Sequence, residues 1–345
     1  MSSFDKFEED QLPSKDQFYS SLTEEDITEK EYCHAENVWK HFNIKNLGEW
    51  HDLYLKMDVL LLADVFENFR DLGLSSYTLD PAWYFTLPGF AWDCMLKYTN
   101  IELELLIDYE MYMFFEKGIR GGISQCSNRY SKADENTEIM YLDANNLYGW
   151  ALSQKLPIKD FKWITVEEYE NRPQDPKKGY VLEVDLDFPE ELHDWFNDLP
   201  LAPESVIPPT GKVEKLLCHF NKKKNYIIHY KTLELYVSLG MKISKIHRAI
   251  EFTEESFMHS YIEFNTKQRQ AAKNSFEKDF WKLMSNSVFG KSMESVRKRQ
   301  NIKLYSDQEK VQKAIRLFKK SVRRQLRAGW SSCGLHAAVV VDVVL

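Results

Sequence analysis

Paired cysteines are missing from this chain of 345 residues. Cys33, Cys94, Cys126, Cys218 and Cys333 stand singly, which excludes a disulfide scaffold or zinc knuckle and leaves buried free thiols as the expectation. Cys33-His34 with His41 suggests a metal, but no second cysteine pair completes such a site. Long apolar runs are missing too. The Val-rich stretch before Leu345 is too short for a membrane span and contains Asp342, so no membrane partner is expected. The first segment is acidic and polar through Lys30, unlike a signal peptide, which favours an intracellular protein. An excess of positive charge is absent as well. The formal net charge of −8 argues against a simple basic nucleic-acid coat.

What is present is enough for a core. Hydrophobic residues make up 43% and aromatics 14%, sufficient for two or three domains of mixed α+β class. Charge is uneven: acids dominate the first 120 residues, whereas Lys291 to Arg327 holds thirteen Lys or Arg against Glu294, Asp307 and Glu309. Such a stretch neutralises phosphates or forms a solvated tail. Residues 1–78 are mainly helical, with Glu31 to Phe42 and Leu53 to Phe69 amphipathic. Tyr180 to Phe188 alternates apolar and polar residues, the clearest strand of the chain. Its Glu183, Asp185 and Asp187 share one face, which fits a solvated sheet face better than a metal site. After a proline-rich loop from Pro200 to Gly211, Val213 to Ser238 carries Lys222-Lys-Lys224 on strands or a helix.

Two segments carry chemistry. Lys267 to Met284 lacks Gly and Pro and is rich in helix formers, so it is expected as one helix. On it Lys278, Lys282 and Asn286 recur at i, i+4, i+8 and share a face, presenting two ammonium groups and an amide to an anionic, planar ligand or to solvent. Upstream, Glu138 to Leu142 reads as a short strand, broken by Asn145-Asn146 before Leu147 starts a helical turn. Asp143 at that strand's end is placed to be a metal ligand, with Tyr148 beside whatever the metal binds; a turn-forming Asp is the plainer alternative.

Together the segments resemble motifs A and B of the B-family DNA polymerases, Asp-x-x-Ser-Leu-Tyr-Pro and Lys-x-x-x-Asn-Ser-x-Tyr-Gly. They stand here as Asp143-Ala-Asn-Asn146-Leu-Tyr148-Gly149 and Lys282-Leu-Met-Ser-Asn286-Ser287-Val-Phe289-Gly290. Asn146 replaces Ser, Gly149 replaces Pro, and Phe289 keeps the ring of Tyr without its hydroxyl. The resemblance is to the organellar and viral, protein-primed branch, including polymerases of self-synthesising DNA transposons. Tyr54-Leu-Lys-Met-Asp58 resembles the third motif of that family's proofreading exonuclease. Gly118-Ile-Arg-Gly-Gly-Ile123 resembles its Tyr-x-Gly-Gly loop, with Ile119 where the family has Tyr.

The resemblance implies roles. Asp143 binds metal and is the catalytic carboxylate of a two-ion magnesium (Mg2+) site. Tyr148, Lys278, Lys282, Asn286, Phe289 and Arg269 bind the incoming nucleotide. Gly121, Gly122, Gly290, Lys291, Arg297, Lys298 and Arg299 contact DNA, while Tyr54 and Asp58 are an exonuclease remnant. The implied partners are template–primer DNA, dNTPs and a terminal priming protein, in a nuclear, mitochondrial or viral setting that the sequence does not distinguish. The implied organisation is an exonuclease remnant (1–78), a connecting region with the Gly-Gly loop (79–135), a partial palm with motif A (136–190), an insertion touching terminal protein and duplex (155–255), helical fingers with motif B (256–300) and a basic, then divergent tail (301–345). The family's Asp-Thr-Asp, which supplies the second catalytic aspartate, occurs nowhere in the chain. A fragment of a DNA-directed DNA polymerase, weakly active or inactive by itself, is therefore expected; a non-catalytic DNA- or nucleotide-binding remnant is the alternative.

Overall fold

The structure, a computed structural model, describes residues 3–209, 211–295, 297, 303–305, 309–310, 312–317 and 340–342. They fall into two compact units, Met1–Phe85 and Thr86–Leu345. The class is mixed helix and sheet. No helix among the described residues is long and apolar enough to cross a membrane.

The first unit is helical. Helix α1 (Glu29–His41) starts at a capping box in which Thr28 accepts from the Glu31 amide and Glu31 accepts from the Thr28 amide. Helix α2 (Leu47–Tyr77) is capped by Asn46 and closed by Thr78 in the left-handed region. It departs from the amphipathic expectation. Leu55, Val59, Leu60, Leu62, Val65 and Phe66 are exposed around its circumference, because apolar residues occupy every face rather than one stripe.

The second unit joins a helical group to a sheet. Helix α3 (Leu87–Thr99) buries Phe90, Ala91, Cys94 and Met95. Helix α4 (Tyr109–Gly118) is capped by Asp108 and buries Met111 and Phe114. The short α5 (Leu147–Leu152) and α6 (Val166–Glu170) flank β1 (Leu156–Ile164). Next come β2 (Lys178–Asp187), β3 (Glu204–Val206), β4 (Lys215–Leu217), β5 (Lys223–His229), α7 (Tyr230–Ser238) and β6 (Lys242–Glu255). Helices α8 (His259–Ala271) and α9 (Ser275–Ser292) follow, and β7 (Lys303–Tyr305) pairs in parallel with β8 (Val340–Asp342). The main sheet runs β1-β6-β2-β5, antiparallel throughout, and β3-β4 form a separate ribbon.

The alternation read for Tyr180–Phe188 explains the sheet's two faces. Tyr180, Leu182, Val184 and Leu186 enter a core with Tyr226, Ile228, Leu233 and Ala249. Val181 points the other way, into a cluster with Phe114, Ile227, Ile250 and Phe252. Glu183, Asp185 and Asp187 follow Val181 on that face, and neither proposed environment describes them. Each faces a partner: Glu183 pairs with Arg248 (2.7 Å), Asp187 pairs with Lys222 (3.2 Å), and Asp185 lies 2.9 Å from His247 Nε2. These partners lie on β6 or just before β5, strands brought alongside only by folding. The cysteine expectation needs correction as well. Cys94 is buried, its thiol pushed up to about 12 by desolvation, and Cys218 is partly buried, but Cys33 and Cys126 are exposed. Cys333 lies outside the described residues.

His229 closes β5, its ring centroid 4.7 Å from that of Tyr230 and tilted by 46°. Burial, and secondarily Lys231, pushes its pKa down to about 4. A histidine held neutral contributes stability above its unfolded value and loses it as pH falls from about 6.5 to about 4. That interval corresponds to about 3 kcal/mol in full. The melting temperature should therefore drop more steeply between pH 7 and 5 in the native chain than in His229→Phe. Parallel pH–melting curves for the two would remove His229 as the acid-sensitive group.

Candidate nucleotide site

The stretch expected as one helix is a helical hairpin. Helix α8 ends at Ala271, the chain turns through 272–274, and α9 begins at Ser275. Asn274 caps α9 by accepting from the Glu277 amide at 2.9 Å, while the Glu277 carboxylate accepts from the Lys273 amide and the Asn274 side chain. The signal was present as Asn274 followed three residues later by Glu277, a capping pair that interrupts helix without Gly or Pro. Arg269 therefore sits on the arm opposite Lys278 and Lys282.

Buried polar contacts hold the arms together. Tyr261 donates its hydroxyl to the Met284 carbonyl (3.1 Å), and Asn265 donates to Ser285 Oγ (3.3 Å). Phe264 meets Trp281 edge-on at 5.7 Å. Between the arms and the turn after Asp143 lies a cavity of about 480 Å³ whose lining includes Asn145, Asn146, Arg269, Lys278, Lys282 and Trp281. Among the described residues, none of the three cations has a carboxylate within salt-bridge distance. Three unneutralised cations facing one concavity form an anion site. Asn265, Thr266, Gln270 and Ser285 also line it; Ser285 lies within motif B at a position its pattern leaves open, and no motif marked the other three, because α8 reaches the cavity only through the hairpin.

Motif A meets motif B directly. The rings of Tyr148 and Phe289 stack with centroids 4.3 Å apart at 25°, a flat aromatic floor beside the cavity. Asn286 is half-buried one turn beyond Lys282 but does not line the cavity; Ser285 does. Asp143 is exposed, two residues before the lining residue Asn145. The strand expected over Glu138–Leu142 is not formed. No strand among the described residues pairs with it, and Tyr141 and Leu142 are 94% and 78% exposed. Strand propensity without a hydrogen-bonded neighbour is insufficient to make a strand.

Two departures from the motif A pattern depend on each other. Asn146 adopts the left-handed region (φ 52°), and a Cβ on Gly149 would come within 2.6 Å of its Oδ1. With the carboxamide at 146 so placed, a Cβ at 149 fits only if that side chain moves. Gly149→Ala should destabilise the chain by about 1–3 kcal/mol through overpacking. Asn146→Gly in the same chain should recover most of that loss, since glycine tolerates the backbone and removes the clash. Equal melting temperatures for Gly149→Ala and the double variant would break the link.

The remaining residues are scattered. Gly121, Gly122 and Gly290 have open space where a Cβ would point. Lys291 pairs with Glu294 and Arg297 with Glu116, so both cations are already engaged. Lys298 and Arg299 lie outside the described residues. In the first unit Tyr54 and Asp58 are exposed one turn apart on α2. Lys222-Lys-Lys224 is no uniform basic patch, since Lys223 is fully buried against Glu204 and His219.

A two-ion metal site does not fit this donor set alone. Among the described residues no group of three or more His, Cys, Asp or Glu is arranged to hold a metal. Asp143 is one carboxylate on an exposed segment, and two ions need more anionic oxygens than it supplies.

The profile of the organellar and viral DNA polymerases of type B matches residues 4–320. The chain belongs to that family. No curated protein matches it significantly. Among solved structures, this type B polymerase chain is similar to phi29 DNA polymerase in an orthorhombic crystal form, at TM-score 0.50 and 16% identity, over 84% of this chain and 46% of that one. A phi29 DNA polymerase complexed with primer-template DNA and incoming nucleotide substrates aligns at TM-score 0.41 and 16% identity, over 78% of this chain and 42% of that one. The chain thus spans about half the length of the polymerases it matches, and at such identity the likeness shows a partial polymerase-like fold. Type B polymerases as a family use divalent metal ions.

Proposed function

We propose that this chain is the nucleotide-loading part of a DNA-directed DNA polymerase, and that by itself it transfers nucleotides weakly or not at all. The carrying observation is the convergence of Arg269, Lys278 and Lys282, free of carboxylates, on one cavity beside the Tyr148–Phe289 stack. The cations bind the triphosphate of a dNTP. The stacked rings receive its sugar and base, with Tyr148 placed to reject a ribose 2′-hydroxyl. Gly121, Gly122 and Gly290, with Lys291 and Arg297 once released from their ion pairs, face template–primer DNA, and Lys298 and Arg299 extend that contact. Asp143 is the catalytic carboxylate and would hold magnesium with the triphosphate oxygens. The region over 155–255 docks a terminal priming protein and the duplex, and Tyr54 with Asp58 belongs to a proofreading exonuclease. The lone carboxylate favours a second reading, a non-catalytic nucleotide-binding protein.

A fluorescent dNTP titrated with Mg2+ and a primer–template, and primer extension in the same samples, test this directly. Saturable dNTP binding with incorporation at or near background is the expected result. Robust extension would overturn the weak-transfer claim, and no dNTP binding would overturn the site.

A further inference from the structure

We propose that the buried hydrogen bond between Asn265 and Ser285 is a positioning pair: it fixes the face that α8 turns to α9, and so holds Arg269 in the nucleotide cavity opposite Lys278 and Lys282. This rests on the nucleotide-binding reading above, which makes a triphosphate the ligand.

The two arms of the hairpin are not supported alike. Helix α9 packs against α3 and α5 as well as α8, and buries Phe280, Trp281, Met284, Ser285 and Val288. Helix α8 has its contacts chiefly with α9, and its buried residues are Tyr261, Ile262 and Asn265. Its first half is fixed by rings. Tyr98 of α3 meets Tyr261 at 6.0 Å and Phe264 at 5.1 Å, and Phe264 meets Trp281 edge-on. From Thr266 to Ala271 no residue is buried. Asn265 is thus the last anchored position of α8, one helical turn before Arg269.

Asn265 and Ser285 are 1% and 5% exposed, and both line the cavity. Their bond spans 3.3 Å, with Nδ2 donating to Oγ. Asn265 and Arg269 stand at i and i+4 on α8. Ser285, Lys282 and Lys278 stand at i, i−3 and i−7 on α9, so the bond and the cations share one seam. Apolar packing is non-directional and tolerates a small rotation or slide of one helix on the other. A buried carboxamide does not, because a slip leaves its polar atoms without a partner where water is scarce. Setting register is what a single buried polar contact between helices does best. Rotation of α8 by part of a turn would swing Arg269 out of the cavity and leave the two lysines facing the triphosphate alone.

A double-mutant cycle tests this with a fluorescent dNTP, Mg2+ and a primer–template. Asn265→Leu keeps the volume and lets Ser285 turn its hydroxyl to a carbonyl of its own helix, so the chain should melt as the native one does. Its dNTP affinity should fall by about tenfold, the lower end of what deleting a charge-assisted phosphate contact costs. In an Arg269→Ala background the same change should weaken binding by less than about twofold, since the residue being positioned is gone. Exchanging the partners, Asn265→Ser with Ser285→Asn, rebuilds the bond in reverse and should recover most of the affinity. If Asn265→Leu does not melt cooperatively, Ser285→Ala, which removes the acceptor and keeps a good helix former, enters the same cycle. Native affinity in the folded variant overturns the proposal. So does an equal loss with and without Arg269, which would make Asn265 a direct contact or a merely structural one. The two claims fail separately: no dNTP binding in the native chain removes the nucleotide site, whereas binding that ignores the Asn265–Ser285 pair removes this inference alone.

Discussion

Lys282→Ala should weaken dNTP binding by about 10- to 100-fold, the result of deleting one charge-assisted contact to phosphate worth about 1.5–3 kcal/mol. Lys282 is exposed on α9, lines the cavity and has no carboxylate partner among the described residues, so its removal leaves no buried charge behind and the fold should be unaffected. Lys282→Arg should recover only part of the loss, since a planar fork does not reproduce a compact ammonium. The deficit should shrink as salt is added, because screening weakens the native contact first. Titration of a fluorescent dNTP at two ionic strengths, with circular dichroism as fold control, reads all of these. Binding of Lys282→Ala within twofold of the native chain would remove the lysine helix from the site.

The second large effect is on stability. Lys223 is fully buried, its ammonium 3.1 Å from Glu204 Oε2 and hydrogen-bonded to His219 Nδ1 (2.9 Å) and the His219 carbonyl (3.0 Å). Desolvation pulls the Lys223 pKa down, with Glu204 opposing it, so the group depends on that carboxylate to stay charged. Lys223→Ala takes the ammonium from Glu204, which keeps His219 Nε2 at 3.2 Å, and opens a void, and should cost about 2–5 kcal/mol. Lys223→Met with Glu204→Leu removes both charges and keeps volume, and should lie within about 1.5 kcal/mol of the native chain. Urea unfolding of the singles and the double measures this. Should Lys223→Ala unfold at the native midpoint, the buried pair does not hold the β3-β4 ribbon to the sheet.

Much of the site was legible because its signals are local. The spacing of Lys278 and Lys282 places both on one side of α9, and both reach the cavity. The rings at Tyr148 and Phe289 were read from two motifs and meet face to face. The strand over Tyr180–Phe188 was legible from its alternation and became β2. The failures have non-local causes. Glu138–Leu142 has strand residues but no neighbour, and Lys267–Met284 was cut by a cap whose strength exceeded helix propensity. The acidic face of β2 looked solvated because Arg248, His247 and Lys222 lie far along the chain. The resemblance implied Arg269, but chain order gave no sign that α8 would present Asn265 and Gln270 beside it.

Helical and strand period, properties of neighbouring residues, were enough to mark the lysine pair and the central strand, while the polymerase motifs came from the family resemblance. Tertiary structure alone decided that Arg269 opposes those lysines across a hairpin and that Asn146 and Gly149 constrain each other. These depend on which distant segments pack together, and the free energy of that packing belongs to pairs of surfaces that no local window of sequence contains.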